Sequence, residues 1–101
     1  MRMSKQIVWS PSSEHDFAGI LNYLSRKWNN KVALQFINKT TFLLNQIAEN
    51  PKQFPVIYKS LKIRKCVLTK HNSLYYRTNR KHIEILRIYD SRQDPQKLTF
   101  N

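Results

Sequence analysis

Glycine is almost missing from this chain. Gly19 stands alone, so no glycine-rich loop can cradle a phosphate, and tight turns must fall to Asn and Lys. Cysteine is equally scarce: Cys66 by itself allows no internal disulfide, and inside a strand-like run with no motif around it, it reads as a buried structural thiol rather than a nucleophile. No apolar stretch approaches the roughly 20 residues that a membrane-spanning helix needs. The opening Met-Arg-Met-Ser-Lys-Gln carries no signal-peptide core. A reducing cytoplasm is therefore the expected compartment, and a membrane is not an expected partner. His15, His71 and His82 are scattered, with no spacing that sets two on one helical face, so neither a zinc site nor a cofactor is expected.

Acidic residues are the remaining shortage, with 6 Asp and Glu against 18 Lys and Arg, for a formal net charge of +12. Uncompensated cations repel one another and gain most from a polyanion or an acidic protein, so nucleic acid, the ribosome and an acidic partner all fit. The excess is uneven. After residue 50 there are 12 basic residues against Glu84, Asp90 and Asp94; before it there are 6 against 3. At 101 residues the expectation is one domain around one hydrophobic core.

What is present is clear periodicity. Gln6 to Trp9 reads as a short strand. Ser10-Pro11 makes a helix start, since Ser caps free amides and Pro is tolerated at the first helical position, while Ser13 with Asp16 offers a competing cap. Phe17, Ile20, Leu21, Leu24 and Trp28 then recur at helical spacing until Asn29-Asn30 breaks the run. A second helix is expected from about Lys31 to Glu49, with Ala33, Phe36, Ile37, Leu43, Leu44 and Ile47 on one face, ended by Asn50-Pro51. So short a link makes the two helices an antiparallel hairpin. Pro51 to Ser60 reads as a loop with a short extended piece at Val56 to Tyr58. Beyond it the period changes to two: Ile63 to Leu68, Ser73 to Thr78 and His82 to Tyr89 read as a three-stranded meander, with Asp90 to Asn101 as a tail. The N-terminal strand is expected to join that sheet. The resulting class is α+β, a helical hairpin packed on a small antiparallel sheet, with Trp9 and Trp28 in the core between them.

Strict alternation along the last strand puts Ile83, Ile85, Arg87 and Tyr89 on one face and Glu84, Leu86, Ile88 and Asp90 on the other. Tyr75 and Arg77 share a face of the preceding strand, in a register that the pattern leaves open. A cluster of Arg64, Lys65, Arg77, Arg87, Tyr89 and Arg92 could hold a phosphodiester, with Arg stabilising a pentavalent phosphorane and a lysine or tyrosine moving protons. From composition alone a solvated arginine surface, or one that faces nucleic acid or a protein partner, is the more economical reading, with the tyrosines packing the sheet.

Val8-Trp9-Ser10-Pro11 before the first helix, Asn50-Pro51 with Phe54-Pro55 after the second, Leu74-Tyr75-Tyr76-Arg77, and the ending Arg87 to Pro95 together resemble the RelE/ParE superfamily of toxins over nearly the whole chain. The resemblance implies a β-α-α-β-β-β fold and a bacterial type II toxin neutralised by a cognate antitoxin whose partly disordered arm wraps it. It implies one of two routes to growth inhibition: cutting messenger RNA on the ribosome without a metal, or inhibiting DNA gyrase. For the nuclease branch the carried-over residues are Lys65, Arg87, Tyr89 and Arg92. Asn72 or Ser73 stands where such nucleases carry an Arg, and no Tyr or His follows Tyr89. The Asp90-Ser91-Arg92-Gln93-Asp94 ending is similar to the ParE-like branch, which is favoured, with Arg64, Lys65, Arg77, Arg87 and Arg92 as the target- or antitoxin-binding set. A degenerate toxin that only binds its antitoxin is the third expectation.

Overall fold

The computed structural model describes residues 5–100; Asn101, the last residue of the expected tail, lies outside them. The order is β1 (Gln6–Trp9), α1 (Pro11–Lys27), α2 (Asn30–Glu49), β2 (Val56–Tyr58), β3 (Ile63–Val67), β4 (Asn72–Thr78), β5 (His82–Asp90) and a 3₁₀ turn at Pro95–Lys97. One five-stranded sheet has the order β1-β5-β4-β3-β2. The expected α+β class is what forms. The meander gains a fourth strand, because the Val56 to Tyr58 piece pairs antiparallel with β3. β1 joins the opposite edge parallel to β5, with Gln6 beside His82 and Trp9 beside Ile85, so the sheet is mixed rather than purely antiparallel.

Local chemistry explains the helix starts. Ser10 Oγ accepts from the Ser13 amide at 3.0 Å and donates to the Leu86 carbonyl at 2.8 Å, so one hydroxyl both caps α1 and ties it to β5. The competing Ser13–Asp16 cap does not form. Ser13 is buried inside the first turn and donates to the Ser10 carbonyl, which leaves Asp16 for another role. Asn29 caps α2 through Val32, one residue earlier than the pattern predicts. With glycine absent from the turns, Lys62 takes a positive φ of 58° between β2 and β3, and Asn79 Oδ1 accepts from the amides of Lys81 and His82 to close the β4–β5 hairpin.

The helical hairpin covers one sheet face. Phe36, Leu44 and Ile47 pack there on Cys66, Leu74, Tyr76, Ile83, Ile85 and Ile88, with Trp9 and Phe17 in ring contact at the margin. Trp28 is a correction: as the C-cap of α1 it is 64% exposed and lies outside this core. A second correction concerns β5. Its partner register slips at Tyr75/Tyr76, where Arg87 and Ile85 are opposed with Leu86 between them. This bulge resets the alternation, so Ile88 joins Ile83 and Ile85 in the helix-side core, while Tyr89 joins Leu86. The tail is not a free end. Leu98 and Phe100 pack on Ile63, Tyr75, Leu86 and Tyr89 across the other face, with Phe100 ring-stacked edge-on to Tyr58 and Tyr75. Among the described residues no helix is long and apolar enough to cross a membrane.

Candidate binding site

The β5 bulge decides where the basic residues go. Register places Lys65 opposite Tyr75 and Tyr75 opposite Arg87, a line across three strands that keeps the lysine and the arginine roughly 10 Å apart at ordinary strand spacing. Arg77 opposes Glu84 and pairs with it at 3.0 Å. Arg64 lies opposite Tyr76 and donates to the carbonyls of Lys52 and Phe54, where it holds the loop that leads into β2. The expected six-residue cluster is therefore split. Arg87, Tyr89 and Arg92 line one open groove of about 1040 Å³ between the helical hairpin and the β3–β4 end of the sheet, and Arg64, Lys65 and Arg77 lie outside it.

Inside the groove the functional groups are already engaged. Asp16 receives Arg87 through both of its oxygens, at 2.7 and 3.1 Å, and accepts the Ile88 amide at 3.0 Å. Arg87 also donates to the Thr99 carbonyl at 2.9 Å. The hydrogen bonds it donates to Asp16 push the Arg87 guanidinium pKa up. Arg92 closes a chelate on Asp90, the carboxylate two residues before it, at 2.6 Å, and that bonding holds the Asp90 carboxyl below its ordinary value. Tyr89 donates its hydroxyl to the Asp94 carbonyl at 2.6 Å and has the Arg87 guanidinium 5.8 Å from its ring centre. What remains open is an apolar floor that includes Ile20, Leu24 and Phe36, with Lys27, Lys39 and His71 along its rim.

Two further groups are removed from chemistry by burial. Desolvation drives the Cys66 thiol up to about 11 and the Tyr76 hydroxyl up to about 12, and Tyr76 donates that hydroxyl to the Pro51 carbonyl at 2.7 Å. Cys66 is fully buried, as expected of a structural thiol. No group of three or more metal-ligating side chains occurs among the described residues. The residue that sequence reasoning missed is Asp16, which pattern alone offers as a cap. Its partner is 71 positions away and is brought near only by the parallel β1–β5 pairing that delivers α1 to β5.

Residues 7–95 match the family model described as the ParE toxin of type II toxin–antitoxin system, parDE. The chain belongs to the ParE toxin family. A comparison with curated proteins finds no match. Among solved structures, the chromosomal ParDE TA system of P. aeruginosa aligns with a TM-score of 0.73 at 18% identity, covering 86% of this chain and 96% of that one. The YoeB/ParE toxin of Agrobacterium tumefaciens aligns at 0.63 and 15%, covering 84% and 96%. The E. coli DinJ-YafQ toxin-antitoxin complex aligns at 0.57 and 16%, covering 87% and 93%. At these identities the structural likenesses show the fold, and the family rests on the sequence match. Structures under the ParE, YoeB and YafQ names thus share the overall fold of this ParE-family chain.

Proposed function

We propose that this ParE-family toxin acts by binding, not by cutting RNA, and that its growth-inhibiting target is DNA gyrase. The observation that carries this reading is the state of the groove: Arg87 is held by Asp16, Arg92 by Asp90, and the Tyr89 hydroxyl by the Asp94 carbonyl. A metal-free nuclease needs a free cation for the phosphorane and a group poised to move a proton. Here the candidates are already paired, and Lys65 stands across Tyr75 from them. Neutralisation falls to a cognate antitoxin with an acidic arm, drawn by the +12 charge, in keeping with the antitoxin-bound relatives of the same fold. Arg64, Lys65, Arg77, Arg87 and Arg92 are the proposed contributors to target and antitoxin contact, with the cytoplasm as the compartment.

The test is to induce the chain alone in bacteria and map transcript 5′ ends together with gyrase-linked DNA breaks and supercoiling as growth slows. DNA breaks or lost supercoiling with intact transcripts are expected. Codon-phased transcript cuts that vanish in Arg92→Ala overturn the reading in favour of a ribosome-dependent endoribonuclease. Unaffected growth overturns it in favour of a chain that only binds its antitoxin.

A further inference from the structure

α2 has an outer face that the fold does not use. Lys31, Leu34, Asn38, Phe42, Asn45 and Glu49 follow one another at three- and four-residue steps down its solvent side, and all are exposed, Leu34 to 55% and Phe42 to 60%. In a chain of net charge +12 this stripe is nearly free of cations. Lys31 stands at one end and Glu49 at the other, about 27 Å apart at the helical rise, with no charge between them along the stripe. Lys39, the third charged residue of α2, lies on the flank that lines the groove. The two end charges are also set against their own helix. The amide end of a helix favours a carboxylate and the carbonyl end a cation, and α1 obeys this with Glu14 in its first turn and Arg26 and Lys27 in its last. α2 does the reverse, with no acid in its first turn and no base in its last. Neither Lys31 nor Glu49 enters an ion pair among the described residues.

We propose that this face joins two copies of the chain, α2 lying antiparallel on α2 about a two-fold axis level with Thr40. Thr40 is midway between Lys31 and Glu49, so an antiparallel mate sets Lys31 against Glu49 of the second copy at both ends. Phe42 then falls over Asn38 of the second copy, with Leu34 one turn away. The contact is isologous, since the same stripe serves both copies. The mate's dipole runs the other way. Its carbonyl end lies beside Lys31 and its amide end beside Glu49, which offsets the unfavourable placement of each charge in the single chain. Charge selects the occupant: a second copy is complementary to the stripe at both ends, whereas an acidic partner finds most of the cations elsewhere on the chain. Area sets the strength. One helix face on another of this length buries less than the roughly 1,200 Å² at the bottom of the standard range, so the pair is weak, with a dissociation constant on the order of 100 μM. The proposal is independent of the toxin reading above.

The experiment is sedimentation of the full chain from about 10 to about 500 μM, at about 0.05 and about 0.5 M salt. A monomer–dimer equilibrium that tightens with salt is expected, because screening relieves the repulsion between two cationic bodies more than it weakens two exposed ion pairs. Phe42→Lys, which puts a cation at the centre of the stripe, should leave a monomer across the whole range. Glu49→Lys should weaken the dimer about tenfold while Tm holds or rises, since the change opposes the mate's lysine but agrees with the dipole of α2. Adding Lys31→Glu to it should bring the dimer back to within about threefold of the parent chain. That rescue keeps the proposal testable if Phe42→Lys fails to fold. A monomer at every concentration and salt, a dimer that Phe42→Lys leaves intact, a dimer that dissolves as salt rises, or a double variant no better than Glu49→Lys alone overturns it.

Discussion

The two edges of the sheet treat charge in opposite ways. At the β1 edge, α1 and β5 carry Asp16, Glu84 and Asp90, each matched to an arginine, and the most buried pair, Asp16 with Arg87, also takes up the Ile88 amide. At the β2 edge no carboxylate offsets the lysines, and apolar side chains stand in solvent beside them. The difference teaches that a net charge of +12 is not one property of this molecule. At one edge three arginines are paired: Arg87 holds helix to strand, Arg77 joins β4 to β5, and Arg92 closes on Asp90. At the other, no ion pair forms among the described residues, and the one arginine, Arg64, spends its hydrogen bonds on the carbonyls of Lys52 and Phe54.

Removing one member of the buried pair is the strongest way to break that contrast. Asp16→Ala strands the Arg87 guanidinium, whose side chain is only 17% exposed, and frees the Ile88 amide. A loss of about 3 kcal/mol is expected, and a fall in Tm of over about 10 °C in thermal unfolding. Asp16→Leu combined with Arg87→Met should lose much less, since replacing both charges with apolar groups removes the stranded ion. Lys59→Ser and Lys65→Ser at the other edge should each change stability by less than about 0.5 kcal/mol. A comparable loss at both edges would erase the distinction.

Tyr76 sits on the seam between the two regions. It is fully buried on β4, and its hydroxyl reaches the Pro51 carbonyl in the loop that feeds β2. Tyr76→Phe keeps the ring and orphans the carbonyl, for an expected cost of about 1–2 kcal/mol in urea unfolding. Hydrogen exchange should quicken in the loop and β2, with α1 and β5 left protected. Uniform loss of protection would mean that the seam does not separate the edges.

How far the sequence alone reaches follows the same division. The helices were legible because Phe36, Leu44 and Ile47 recur at helical spacing and because Ser10-Pro11 is a strong helix start, whereas Asn29 reads in the pattern only as a break and is in the structure the cap of α2. The meander was legible from period-two runs. The candidate site was not, because it depends on one inserted residue: the bulge at Leu86 turns Ile88 to the helix side and Tyr89 to the face where Phe100 packs, and alternation has no term for an unpaired residue. Arg87 could be picked out as chemically interesting, but its partner Asp16 is fixed by topology rather than pattern. Trp28 shows the converse limit. It continues an apolar spacing one step past the last helical residue, where the chain has already left the core.

The β2–β3 turn offers a smaller and opposite effect. Lys62 holds a φ of 58°, a conformation that costs a residue with a Cβ roughly 1 kcal/mol. Lys62→Gly should therefore stabilise the chain, or at worst be neutral once the unfolded-state entropy of glycine is included, with a gain of at most about 0.5 kcal/mol. The same change removes one cation from the β2 edge. An unchanged or higher Tm in thermal unfolding would show at a single residue that the lysine's charge there does not serve folding.

The gentlest probe is pH. Arg92 holds the Asp90 carboxyl below its ordinary value, first by the side-chain hydrogen bonds, so the folded pKa lies beneath that of the unfolded chain, about 3.9. The stabilisation is therefore complete above the unfolded value and is lost as pH falls through the folded one. Because Arg92 is exposed, the change should be small in Tm and visible mainly by NMR, as a low Asp90 titration midpoint that rises towards the ordinary value in Arg92→Ala. Amides from Ser91 to Gln93 should shift in that window, since the Arg92 amide itself donates to Asp90 at 2.8 Å. Amides from Val56 to Tyr58 should stay flat, because no carboxylate lies in the run around them. A titration step at β2 would mean that a carboxylate reaches that edge, and the contrast between the two edges would then fail.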